Sequence, residues 1–181
     1  MKKTFTKLVK SVTKARPVIA GVHYTNERIE ATDAHVAIIE DLKTPLDNSF
    51  DILINLDGVP SIANYPDLRR IVPTETENIF VIDIPMLEAV AKINKKELYI
   101  KLEKDGSVSG QKVGYFEQID NFKYIAFSPK YVLWLIEYAK ESGQKEHIKI
   151  ELSNSDVMPA VVHFEQPETY NTFVITPIRL N

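Results

Sequence analysis

The chain has 181 residues, 44% of them hydrophobic, no cysteine and a formal net charge of −3. That is enough apolar material for one good core or two small ones and excludes a disordered chain. The lack of cysteine excludes a disulfide framework, a thiolate metal site and a cysteine nucleophile, and fits a reducing cytoplasm. The acidic balance by itself argues against a nucleic-acid binder. Yet Lys2, Lys3, Lys7, Lys10, Lys14 and Arg16 lie in residues 1–16 without a single acid, so positive charge is concentrated at one end.

The first stretch, MKKTFTKLVKSV, starts like a signal peptide, but Lys7, Lys10 and Lys14 interrupt any apolar core, which predicts a helix of the mature chain instead. Phe5, Leu8, Val9, Val12 and Ala15 recur at helical spacing, with the three lysines opposite them. Three antiparallel strands are expected next: PVIAGVHYT, then RIEATDA after the turn Thr25-Asn26-Glu27, then HVAIIEDL. A Pro/Asp/Asn-rich loop leads to the strand FDILINL and a turn at Asp57-Gly58, and the polar stretch NYPDLRRIVPTETEN reads as a connector.

The pattern then restarts. NIFVIDI predicts a strand, and Pro85 opens a helix, PMLEAVAKINKK, with Met86, Val90 and Ile93 expected inside. Hairpin turns are predicted at Lys104-Asp105-Gly106 and Ser109-Gly110. A third cycle runs from the strand YIAF through Ser128 as helix cap and Pro129 at the first helical position. Its helix should bury Val132, Leu135, Ile136 and Ala139 and stop at Gly143, before the strands HIKIELS, AVVHFEQ and TFVITPIRL. One helix-plus-strands unit therefore repeats at a period of about 60 residues. No apolar run reaches the roughly 18 residues of a membrane-spanning helix.

Catalytic chemistry has no visible seat. His23, His35, His147 and His163 lack metal spacing, and no glycine-rich phosphate loop or dinucleotide fingerprint occurs. His23 and His163 are read as ordinary strand residues, and Asp33 with His35 suit the capping of a turn. No enzyme activity, cofactor or metal is expected. The lysine stripe allows two readings, a solvated helix face or a surface that tracks a phosphate backbone without reading bases.

Three segments resemble the bacterial sliding clamp, the β subunit of DNA polymerase III. EATDAHVAII is similar to an ATDGHRLA-type segment, NYPDLRRIVP to an FPDYRRVLP-type connector, and TFVITPIRL to a YVVMPMRL-type C-terminal strand. They occur in the family's order, and FSPKYVLWLIEYAK matches the helix entry that precedes the last strands. The resemblance implies an α+β, DNA-clamp-like fold of about three half-domain units: residues 1–72 as a half-size domain with connector, and residues 73–181 as a complete clamp-like domain.

It further implies a processivity factor of DNA replication that binds double-stranded DNA without sequence preference through Lys7, Lys10 and Lys14. In the family the three motifs form a groove for short peptides of DNA polymerase and the clamp loader. Carried over, that groove comprises Thr32, Ala34, His35, Val36 and Ala37, then Pro66, Arg70 and Ile71, then Val174, Thr176, Pro177, Ile178, Arg179 and Leu180. Val36, Ala37 and Val174 also read as plain core residues. The sequence departs from the family where Ala34 and Val36 replace glycine and arginine, Ala37 a leucine, and Thr176 a bulky apolar residue. The family's first domain is absent, as is most of the second half of its second, between Leu42 and Tyr65. Clamps of this family are rings of six domains, so a homo-oligomer is expected, of about four chains if the ring closes. The other implied role is a clamp-derived decoy or regulator that binds the same peptides without encircling DNA.

Overall fold

The computed structural model describes residues 2–12, 15–62 and 64–180. The chain divides into two compact units, residues 1–70 with 163–173, and residues 71–162 with 174–181. Among the described residues no helix is long and apolar enough to cross a membrane.

The first unit opens with α1 (Lys3–Ser11), which buries Thr4, Phe5, Leu8 and Val9. The helix ends at Ser11, before the Val12 expected in it. At Ser11 the hydroxyl bonds back to the Leu8 carbonyl and to the Asp33 carboxylate, both at 2.8 Å, and Val12 is already extended. A serine hydroxyl that satisfies its own helix's carbonyl in this way weakens the next turn. The apolar run after Pro17 also differs from expectation: Pro17–Ile19 is a short 3-10 turn, and the strand begins only at Val22.

Strands β1 (Val22–Thr25), β2 (Arg28–Thr32), β3 (Val36–Leu42), β4 (Asp51–Ile54) and β5 (Pro60–Ser61) follow. Their sheet runs β3-β2-β1-β4-β5, and β1–β2 and β2–β3 are antiparallel hairpins. Ala31, Val36, Ala37, Ile38 and Leu53 form its core.

The second unit begins with β6 (Asn78–Asp83) and α2 (Ile84–Ile93). Asp83 caps α2 by accepting the Met86 N–H at 2.8 Å. Of the predicted inner face only Val90 is buried, with Ile84, Leu87 and Ala91, whereas Met86 is 45% and Ile93 82% exposed. Apolar residues surround this helix, so two stripes compete, and the one that packs on α3 and β6 prevails.

Strands β7 (Ile100–Glu103), β8 (Ser107–Val108), β9 (Gln111–Lys112), β10 (Gly114–Gln118) and β11 (Tyr124–Phe127) come next. Positive φ at Gly106, Ser109 and Gly110 marks the two expected turns. Gly114 is required by close packing, because a Cβ there would lie 2.0 Å from the Val81 carbonyl oxygen.

In α3 (Pro129–Glu141) the four residues expected inside are buried. Ser128 occupies the cap position without a side-chain bond; its carbonyl instead accepts from the Tyr131 and Val132 N–H groups. The helix stops at Ser142, with Gly143 in the left-handed region.

Strand β12 (His147–Leu152) pairs antiparallel with β6. Strands β13 (Ala160–Glu165) and β14 (Thr169–Ile175) close the chain, with residues 163–173 assigned to the first unit. The last strand ends at Ile175 rather than Leu180, since Pro177 has no N–H to continue a ladder. The structure is thus α+β, as the resemblance implies.

Candidate functional site

Helix α1 turns Lys3, Lys7 and Lys10 outward, opposite its buried Phe5, Leu8 and Val9. Lys3 extends the predicted stripe by one turn, a position that the i, i+4 spacing to Lys7 already indicates. Lys14 lies outside the described residues, beyond the end of α1 at Ser11. The helix itself carries these three lysines and no acid, a charge distribution that favours anions.

The turn between β2 and β3 gathers the first motif. Asp33 Oδ1 accepts the N–H groups of His35 and Val36, both at 2.9 Å, so the acid caps the turn. Thr32 Oγ1 accepts from the Ala34 N–H at 2.9 Å and donates to the Val36 carbonyl at 2.8 Å. This network holds Ala34 at a φ of 77°, a left-handed conformation natural to glycine. Ala34 and His35 are exposed, whereas Thr32, Val36 and Ala37 are buried.

In the connector, Pro66 is exposed and Arg70 projects outward, its side chain 85% exposed and its Nε 3.5 Å from Asp67 Oδ2. On the second unit Ile71 is 41% exposed. There, too, Val174 is buried, while Thr176, Pro177, Ile178 and Leu180 are half-buried and Arg179 is exposed. The extended tail is fastened by the Ile178 N–H, which donates to the Ala126 carbonyl at 2.7 Å.

The first unit also holds a polar cleft of about 470 Å³ that the sequence reading passed over. His23 is 6% exposed, with Nδ1 2.9 Å from Glu30 Oε1 and Nε2 2.8 Å from Asp51 Oδ1. Tyr65 stacks on the His23 ring at 4.4 Å. The β1–β2 register sets His23 opposite Glu30, and β4 brings Asp51 opposite Thr25. A neutral imidazole donates through one nitrogen only, so the second contact needs another proton, on the ring or on an acid. Burial pushes the Glu30 carboxyl above the ordinary carboxylate range against the opposing pull of the His23 hydrogen bond and Arg28. Burial, then the Glu30 charge, likewise raises the Tyr65 phenol. The turn Thr25-Asn26-Glu27 already implied that residue 23 faces residue 30; what was missing was any sign that Tyr65 and Asp51 join them.

Among the described residues no group of His, Cys, Asp or Glu is placed to hold a metal ion.

No protein-family model and no curated protein sequence matches the chain. Solved structures do. The DNA polymerase III beta subunit of Thermotoga maritima is similar over 99% of this chain, at 16% identity and a TM-score of 0.75. The Bacillus subtilis DNA polymerase sliding clamp is similar over 98%, at 17% identity and a TM-score of 0.72. The Streptococcus pneumoniae DNA polymerase III beta chain is similar over 98%, at 19% identity and a TM-score of 0.69. The chain spans 63%, 61% and 63% of those three proteins' lengths, respectively. Over nearly its whole length this chain has the fold of the bacterial sliding clamps.

Proposed function

We propose that the chain is a sliding-clamp-like processivity factor, which binds duplex DNA without sequence preference and tethers replication proteins through short peptides. The observation that carries this reading is the fold shared with DNA polymerase III beta subunits over 97–100% of the chain. The exposed lysines of α1 add to it, since helix-borne cations one turn apart suit a phosphate backbone.

In this reading Lys7 and Lys10, with Lys3 beside them, meet DNA phosphates. The partner peptide is met on the first unit by the exposed residues of the β2–β3 turn and the connector, Ala34, His35, Pro66 and Arg70. On the second unit, taken by itself, the tail from Thr176 to Leu180 is a further candidate surface for such peptides. An apolar surface edged by a few polar and cationic groups anchors one or two apolar side chains and holds the peptide backbone between them. Encirclement of a duplex would come from self-association of the chain into a closed ring.

The test is fluorescence anisotropy with two duplexes of unrelated sequence across a salt series. Equal affinities that fall steeply with salt are expected. The Lys7→Glu/Lys10→Glu variant should lower the log–log slope by about 2, one contact for each lysine removed. Sequence-selective binding, or a slope unchanged by the variant, would contradict the assignment of α1.

A further inference from the structure

We propose that the cleft of the first unit is a receptor for a guanidinium group, the side chain of an arginine on a protein partner. For the existence of a partner this rests on the reading above; for the chemistry of the guest it rests on the cleft alone.

Glu30 carries the argument. It is 2% exposed and lines the cleft, yet its Oε2 has no hydrogen-bond partner. The nearest cation, Arg28 Nη1, stands 3.9 Å away, beyond hydrogen-bond length. A buried carboxylate oxygen left open is costly unless something donates to it. His23 does not fill this role, because its contact is to the other oxygen of the same carboxylate.

Charge and shape agree on the guest. Glu27, Glu30, Asp51 and Asp67 all line the cleft. Arg69 and Arg28 line it as well, but Arg69 Nη2 pairs at 2.7 Å with Asp41, which is not part of the lining, and Arg28 is shared between Asp41, at 3.6 Å from its Nε, and Glu30. The cleft is thus left with carboxylates in excess. Phe50 and Tyr65 add aromatic surface to the same wall. Carboxylates beside aromatic faces suit a planar, multiply donating cation, which hydrogen-bonds in its plane and stacks through its face. An acidic or purely apolar guest would leave Glu30 Oε2 unsatisfied.

The proposal is tested on the full chain by calorimetric titration with N-acetyl-arginine amide, and with the citrulline counterpart as the uncharged isostere. Saturable binding of the arginine probe is expected, and none of the citrulline probe. Asp51→Asn and Glu30→Gln should each weaken it roughly tenfold, the scale of a charge-assisted contact. Asp51 has a side chain 67% exposed, so its variant keeps the test sound should Glu30→Gln fold poorly. Equal binding of both probes, no binding of either, or affinity unchanged in a folded variant would overturn the proposal. A chain that binds the arginine probe but not DNA would refute the replication reading and leave the cleft standing; the opposite pattern would refute the cleft alone.

Discussion

Tyr65 lies flat on His23, ring centroids 4.4 Å apart and planes inclined by 16°. The stack joins the connector to β1 within the first unit. Removing it should be felt in stability: Tyr65→Ala is expected to cost about 2 kcal/mol in urea unfolding, and Tyr65→Phe, which keeps the stack, clearly less. Equal midpoints for Tyr65→Ala and the parent would show that the connector is not held by this contact.

Glu30 should give the first unit a distinctive pH dependence. Its carboxyl is raised by burial, so the folded chain holds this proton more tightly than the unfolded one. With more protons bound when folded, the contribution is full below the ordinary carboxylate value. It is lost as pH climbs from there through the raised value. Glu30→Gln removes this titration. Urea unfolding between pH 4 and 8 should show the variant gaining on the parent as pH rises, then a constant difference; parallel curves would contradict the assignment.

Ala34 stands where an L residue is strained, at a φ of 77°. Ala34→Gly should stabilise the chain by about 1 kcal/mol. Asp33→Ala, which removes the acceptor for the His35 and Val36 N–H groups, should cost about 2 kcal/mol. Thermal melts of both variants check the pair, and a destabilised Ala34→Gly would mean the turn is not under strain.

The tail beyond β14 hangs on the bond from Ile178 to Ala126. Deleting residues 178–181 removes that bond but none of the strands or helices. Circular dichroism should therefore stay near that of the parent. On the proposed reading, binding of a fluorescein-labelled clamp-binding peptide should be lost. Unchanged affinity would remove the tail from the peptide surface.

The parts of this molecule that sequence reveals are those in which one local pattern decides the outcome. In helix α3 Val132, Leu135, Ile136 and Ala139 are buried at the helical spacing that periodicity assigns them. The turns at Gly106 and at Ser109-Gly110 follow from the few residues that tolerate positive φ. Where two patterns compete, packing chooses: in α2 the stripe containing Leu87 and Ala91 goes inside and Met86 and Ile93 stay out. The end of α1 depends on Asp33, 22 residues away from Ser11, which no local rule anticipates. The His23 cleft was hidden for the same reason. Its hairpin register was readable, but Asp51 and Tyr65 arrive through a separate strand and the connector.

The measurement that reaches the central claim most directly is retention on DNA of different topology. The chain is incubated at high concentration with a nicked circular plasmid, and bound protein is separated by gel filtration before and after the plasmid is cut once. A sliding clamp should travel with the circle, leave when the ends are opened, and be held less in Lys7→Glu/Lys10→Glu. Protein that elutes apart from the circle, or that stays equally well on linear DNA, would contradict the account.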